Sequence, residues 1–271
     1  MQNFILICLL SIGFISFNPF PAYSEEFSPS QQQEAFYIEA DAIKPGQVRY
    51  ADYQVMEKVK ESVENGEVAW NETEKRWELK HHHSSSLFPL SKSLPVVNGP
   101  YGFVLVDGHH HFLENQKLGG TTIPVKVIAD YSRLSLEEFL NIAEEKGFIH
   151  PYDVYGNRVH LPLSFSELQN DPNRFFAALG KRIYIDTPEM HFSKGSEYPI
   201  WVKVGKDIPF IEMRISEAMW NAGLVYDEQQ GTEPDAVFYE TARDVIKAAE
   251  IKGLRVIPTR MHYSEFDIDS L

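Results

Sequence analysis

The chain has 271 residues, 43% of them hydrophobic and 24% charged, with 16 glycines and 16 prolines. That balance excludes wholesale disorder, a collagen repeat and a coiled-coil rod, and the length is ample for a real core in one large domain or two modest ones. With 39 acidic against 25 basic residues the formal charge is −14, which argues against broad coating of nucleic acid and leaves only a local basic groove open.

Phe4 to Phe17 is an uncharged apolar run. It falls short of the roughly 20 residues of a membrane-spanning helix and fits the hydrophobic region of a secretory signal. Asn18-Pro19 breaks it, and Ala22-Tyr23-Ser24 offers small residues at the cleavage positions, so residues 1–24 are expected to be a signal peptide. The expected location is then periplasmic or secreted, with no stable membrane insertion after signal removal. A buried N-terminal helix or a retained anchor is the alternative. Cys8, the single cysteine, lies inside the run, so the mature chain would hold no disulfide, thiolate nucleophile or cysteine-bound zinc.

Glu25 to Gln33 reads as a mobile lead-in, with order beginning near Phe36-Tyr37-Ile38. Ala42 to Gln47 looks like a strand end and a turn. Val55, Met56, Val59 and Val63 are spaced as one helical face, and Asn65-Gly66 stops that helix. Trp70 to Leu94 reads as a loop or irregular element. Tyr101 to Val106 is β-rich after the Asn98-Gly99-Pro100 turn, His109 to Leu118 is a helix ended by Gly119-Gly120, and Thr122 to Ile128 is a second strand. Ser135 and Glu138 form a capping box before the apolar face of Leu136, Phe139, Leu140 and Ala143, closed by Gly147. Short helices are expected at Ser164 to Leu168 and Asp171 to Leu179, strands at Ile183 to Ile185 and Ile200 to Val204, and helices at Pro209 to Gly223 and Asp235 to Gly253. The best boundary is Pro151 to Pro162, which divides a domain over 36–155 from a C-terminal mixed helical region over 156–271 packed on it.

The chemistry concentrates at Val106-Asp107-Gly108-His109-His110-His111. A strand ends, Asp107-Gly108 turns, and a helix starts with its free N–H groups aimed at the bend, where donors and dipole attract anions. Histidines in that first turn add switchable donors, metal-binding nitrogens or a general acid/base. Asp107 could cap the helix, orient an imidazole or bind a cation. The bland reading is a structural turn. His81 to His83 read as a solvated loop, the sharper alternative being a metal site shared with His109 to His111. No Walker loop, GxSxG, HExxH or EF-hand loop is present.

This segment resembles a known pattern. DGHH between a short strand and a helix is similar to the box of the ParB/sulfiredoxin superfamily, and more closely of its bacterial ParB-like nuclease family. Ile43-Lys44-Pro45 with Gln47, Asn98-Gly99-Pro100-Tyr101-Gly102, and Ile123-Pro124-Val125-Lys126-Val127 resemble its flanking elements. Asp171-Pro172-Asn173-Arg174 and Phe210-Ile211-Glu212-Met213 leading to Trp220 resemble its less specific downstream stretches. The resemblance implies an α+β fold: a ParB/sulfiredoxin-like small mixed sheet with flanking helices, plus a mixed α/β C-terminal extension. It implies a phosphate- or nucleotide-binding pocket shaped by Gly108, His109 and His110, with Asp107 beside them and Lys44 and Gln47 opposite. Many relatives place an arginine where this chain has His111, a departure because histidine is mostly neutral near neutral pH.

The expectation is a phosphodiester or phosphate-ester hydrolase, nuclease-like, acting on a phosphate-containing ligand or short nucleic acid. His109, His110 and Asp107 would be catalytic; Gly108, His111, Lys44 and Gln47 would bind ligand; a divalent metal is the possible cofactor. The alternative is a non-catalytic anion- or metal-binding module acting through partners.

Overall fold

The computed structural model describes residues 25–26, 34–80, 85–174, 183–186, 200–204, 210–227, 236–251 and 254–256. The expected signal segment 1–24, His81 to His83 and residues 175–179 of the helix expected after Asp171 lie outside the described residues. No helix among them is long and apolar enough to cross a membrane.

The central sheet is mixed. Its strands run in the order β1 (Glu25–Glu26), β9 (Thr122–Asp130), β7 (Leu94–Gly99), β8 (Gly102–Leu105) and β3 (Ile43–Pro45), with β2 (Phe36–Glu39) also on β9. Glu25 and Glu26 therefore pair with Asp130 and Ala129, where the composition suggested a lead-in. β7 and β8 form an antiparallel hairpin, and a helix then carries the chain back so that β9 runs parallel to β7. That helix is α2 (His109–Lys117). β7 was hidden in the sequence because its Pro95 and Asn98-Gly99 look like punctuation. The pairing with β8 and β9 overrides that local signal.

Alternation along the strands divides the core. Ile43, Val96, Leu105, Ile123 and Val125 face one side, where Val55, Phe112 and Phe165 join them. Val97, Val104, Ala129 and Tyr131 face the other, under Phe139 and Ala143. Phe139 and Ala143 belong to α3 (Leu136–Glu145), which starts with the expected capping box. Its Ser135 Oγ accepts from the Glu138 N–H at 3.3 Å, and Glu138 Oε2 accepts from the Ser135 N–H at 3.0 Å.

Helix α1 (Asp52–Glu64) buries Val55 as its spacing predicts, and Gly66 at φ 71° ends it. Met56 stays 46% exposed, whereas Gln54 and Ser62 are buried. The buried stripe is thus partly polar. Residues expected to be irregular form a hairpin, β5 (Val68–Asn71) with β6 (Arg76–Leu79), in which Trp70 and Trp77 are directly opposed with ring centroids 5.3 Å apart. Its turn is made by Asn71, whose Oδ1 accepts from the N–H groups of Thr73 and Glu74.

Past Pro162 the chain returns to the sheet side through β10 (Gln169–Asn170), parallel to β4 (Arg49–Tyr50). β11 (Ile183–Asp186), β12 (Ile200–Val204) and β13 (Leu254–Val256) form a separate three-stranded sheet. Helices α4 (Ile211–Asn221) and α5 (Ala236–Ala248) complete the fold. Met213, Ile215 and Met219 of α4 are fully buried.

The tightest approach is at Gly46, after β3. A Cβ there would stand 2.2 Å from the Leu105 carbonyl oxygen and 3.1 Å from that of Phe148. Both are backbone atoms, so neither can swing aside. Gly46→Ala is expected to destabilise the protein by about 2 kcal/mol or more, as overpacking does. Urea unfolding measures this, and an unchanged midpoint would show that the loop relaxes freely.

Candidate functional site

β8 ends at Leu105, and Val106 is still tied to the neighbouring strand by its N–H to the Pro95 carbonyl at 3.0 Å. The bend follows. Gly108 lies at φ 83°, and a Cβ there would come 2.8 Å from Leu94 Cδ2. Handedness and space both call for glycine. Asp107 is exposed and turns back on the bend, its Oδ1 accepting from the Gly108 N–H at 2.7 Å. The N-cap residue of α2 is Gly108, which has no side chain to cap the helix, so the first-turn N–H groups point to the bend at the positive end of the helix.

The three histidines that follow are not equivalent. His109 is 2% exposed, lies against the Phe165 ring, and its Nε2 accepts from the Gly46 N–H at 3.1 Å. An accepting Nε2 places the neutral ring's proton on Nδ1. Burial holds the His109 pKa well below its usual value, helped by Arg174 and His110. His110 is half-buried; burial, then His111, Arg174 and Lys58, push its pKa down to about 3. His111 has a 37% exposed side chain, and its Nδ1 lies 3.1 Å from Glu114 Oε2. The rings of His110 and His111 lie 4.2 Å apart, and Phe88 stands edge-on to His111.

The partners come from two other segments. Gln54, Lys58 and Ser62 repeat every four residues on α1, so they share one face. Gln54 Oε1 accepts from Arg174 Nη1 at 3.3 Å, Lys58 acts on His110, and the Ser62 hydroxyl donates to Glu114 Oε1 at 2.7 Å. The second segment is 171–174. Asp171, fully buried, accepts from Arg49 Nη1 at 2.9 Å, Ser216 Oγ at 2.7 Å and Trp220 Nε1 at 3.0 Å. Asn173 accepts the Tyr226 N–H and donates to the Leu224 carbonyl. This scaffold carries Arg174, 7% exposed, to the neighbourhood of His109 and His110. Its Nε, and the Nε2 of buried Gln47, have no hydrogen-bond partner among the described residues.

The expected residues are thus only partly gathered. His109, His110 and His111 stand together behind Asp107-Gly108, but His109, expected to be catalytic, is buried at 2% exposure. Lys44 is not opposite the box. It pairs with Val104 on the other face of the sheet and lines a cavity of about 610 Å³ with Tyr101, Leu140 and His160. Gln47 is buried, its backbone bridged to His150. Lys58, Glu114 and Arg174 were not singled out from the sequence; Arg174 carried a visible signal, its place in Asp171-Pro172-Asn173-Arg174.

A second cluster lies around Arg49, which is fully buried. Its guanidinium also meets Glu217, the Met213 carbonyl and His150 Nε2, and His150 Nε2 is 3.0 Å from Glu217 Oε1. His150 and Glu217 line a cavity of about 940 Å³ with Tyr152, Arg158, Phe210 and Arg214. Neither cavity is lined by residues 107–111. Among the described residues, no group of three or more His, Cys, Asp or Glu side chains is placed to hold a metal ion.

Residues 36–194, more than half of the chain, match the family described as Putative ParB-like nuclease. The chain belongs to this family. The ParB-like fold is shared with the crystal structure of protein Atu1540 from Agrobacterium tumefaciens, at TM-score 0.53 and 22% identity, covering 83% of this chain and 97% of that one. Fainter likenesses are a conserved hypothetical protein from Pyrococcus furiosus, at TM-score 0.26 and 15% identity over 85% of this chain and 94% of that one, and a free serine kinase in complex with AMP, at 0.26 and 15% over 86% and 94%. No curated protein matches.

The buried imidazoles of this ParB-like chain carry a pH signature. His109, His110 and His150 all have pKa values lowered by burial first. On unfolding they return toward about 6.5, so below that pH the unfolded chain binds more protons than the folded one. Their contribution is full above pH 6.5 and is lost as pH falls. Urea unfolding at pH 7.5 and pH 5 is expected to show lower stability at pH 5 and a shallower fall in His110→Gln. Equal slopes would contradict the depressed His110.

Proposed function

We propose that the first turn of α2 binds a phosphate ester and that the chain is a nuclease-like phosphodiester hydrolase. What supports this is a convergence: His110 stands in the first turn of α2, and after burial and His111 it is Arg174 and Lys58 that lower its pKa. Lys58, which also pairs with Glu61 at 2.7 Å, and Arg174, whose Nη2 lies 3.8 Å from Glu212, join the helix start beside a neutral imidazole to make a place for an anion in a chain whose net charge is −14.

Arg174 answers the departure at the box. Where the family resemblance leads one to expect arginine after the paired histidines, this chain has His111, and the permanent fork arrives instead from residue 174, its buried Nε without a hydrogen-bond partner among the described residues. Phosphoryl transfer requires positioning and charge stabilisation more than covalent help. In this reading Arg174, Lys58 and the α2 N–H groups hold the phosphoryl oxygens, His110 contacts the same group as a neutral imidazole, and His109 anchors α2 to the Gly46 loop. Asp107 and Gly108 form the bend, and Lys44 takes no part. Export, read from Phe4 to Phe17, suits a phosphodiester, which needs no nucleoside triphosphate.

Hydrolysis of bis(p-nitrophenyl) phosphate tests the assignment. His110→Ala removes a group that steadies phosphoryl charge and is expected to lower the rate about 100-fold or more, with a melting temperature close to that of the wild type. An unchanged rate removes the assignment. Saturable stabilisation by inorganic phosphate without turnover would make the protein a binding module instead.

A further inference from the structure

We propose that Glu114 is a positioning residue that fixes the His111 ring so that its Nε2 faces the substrate as the general base. The inference rests on the hydrolase reading and adds the group that takes the proton from the attacking water.

Two of the three box histidines are unsuited to that task. His109 has its accepting nitrogen committed to the Gly46 N–H. His110 feels the charges of Arg174 and Lys58, which oppose a further positive charge. His111 is differently placed. Its Nδ1 faces Glu114 Oε2 at 3.1 Å, so a proton on Nδ1 is held by a carboxylate. The opposite nitrogen, Nε2, then carries the lone pair. The ring is confined by Phe88 edge-on at 5.4 Å and by the His110 ring at 4.2 Å, and over a third of the side chain reaches solvent.

Glu114 is itself fixed. It is 3% exposed, and its other oxygen, Oε1, accepts from the Ser62 hydroxyl at 2.7 Å. Ser62 sits on the α1 face that also presents Lys58 and Gln54, and Glu67 is a second acceptor for its hydroxyl at 2.9 Å. A buried carboxylate with one oxygen tied down and the other on an imidazole Nδ1 sets tautomer and orientation, as the third member of a hydrolytic triad does. The step balances. Water gives its proton to His111 Nε2 as its oxygen bonds to phosphorus, the P–O ester bond breaks, and the departing alkoxide takes that proton back from Nε2.

The geometry makes a specific demand of Glu114→Gln. Ser62 has one hydroxyl hydrogen, for which Glu67 competes; with that hydrogen on the amide oxygen, the amide NH2 faces His111 Nδ1 and donates to it. The proton must then sit on Nε2, and the base is lost while shape is kept. In the wild type, ring 15N shifts are expected to show His111 protonated at Nδ1; in Glu114→Gln they should show it at Nε2. kcat on bis(p-nitrophenyl) phosphate should fall by about 10²–10⁴, the range lost with a general base, with KM changed less than about threefold. The double variant Ser62→Ala/Glu114→Gln frees the amide to turn its oxygen toward Nδ1 and should recover part of kcat.

An Nε2-protonated His111 in the wild type, or full kcat in Glu114→Gln, overturns the proposal. Full kcat there alongside an inactive His110→Ala would leave the hydrolase reading standing. A wild type without turnover would bring down that reading and the base with it, whatever tautomer the ring shows.

Discussion

A guanidinium with no exposed atoms needs partners from its surroundings, and Arg49 finds them at its two terminal nitrogens, while its Nε has none among the described residues. Asp171, Glu217, the Met213 carbonyl and His150 surround it. The partners come from three stretches of chain, with Met213 and Glu217 both on α4, so satisfying Arg49 fixes where those stretches go. Asp171 matters most, because it also receives Ser216 and Trp220 of α4 and starts the turn that carries Arg174. The charge at the box histidines therefore depends on an ion pair on another strand. A further link runs through Gly46, whose N–H reaches His109 and whose carbonyl accepts from the His150 N–H at 2.7 Å. One peptide position thus joins the two histidine clusters, and only glycine fits there.

From that frame the three box histidines acquire separate roles. His109 is part of the interior. His110 is neutral among cations. His111 is the most open of the three and is paired with a carboxylate. Three identical side chains in one helical turn differ because a helix turns by about 100° per residue: the first meets Gly46 and Phe165, the second feels the charges of Arg174 and Lys58, and the third meets Glu114 and Phe88.

Much of the fold was legible. α1, α2, β9, α3 and α4 stand close to where periodicity, caps and glycine stops put them, because their signals are local. β7 and the β5–β6 hairpin were not, since Pro95, Asn98-Gly99 and the charged turn at 72–75 mimic loops, and only pairing partners distant in sequence reveal them as strands. At the site, the bend and the histidines were readable. Burial was not: it separates His109 from His111 and puts Lys44, by strand alternation, on the far face. Glu114 was hidden as one more acid on a short helix, and Lys58 as one more cation on α1, until the two helices were laid side by side.

The central claim is that a phosphoryl anion sits among His110, His111 and Arg174 rather than in the cavity beside His150. Titrating the protein with inorganic phosphate while following the ring nitrogens of its histidines and the Nε–H of its arginines tests this most directly. The account predicts that His110, His111 and Arg174 shift together along one saturation curve while His150 and Arg214 stay still. Saturable shifts at His150 and Arg214, with the box signals unmoved, would contradict it.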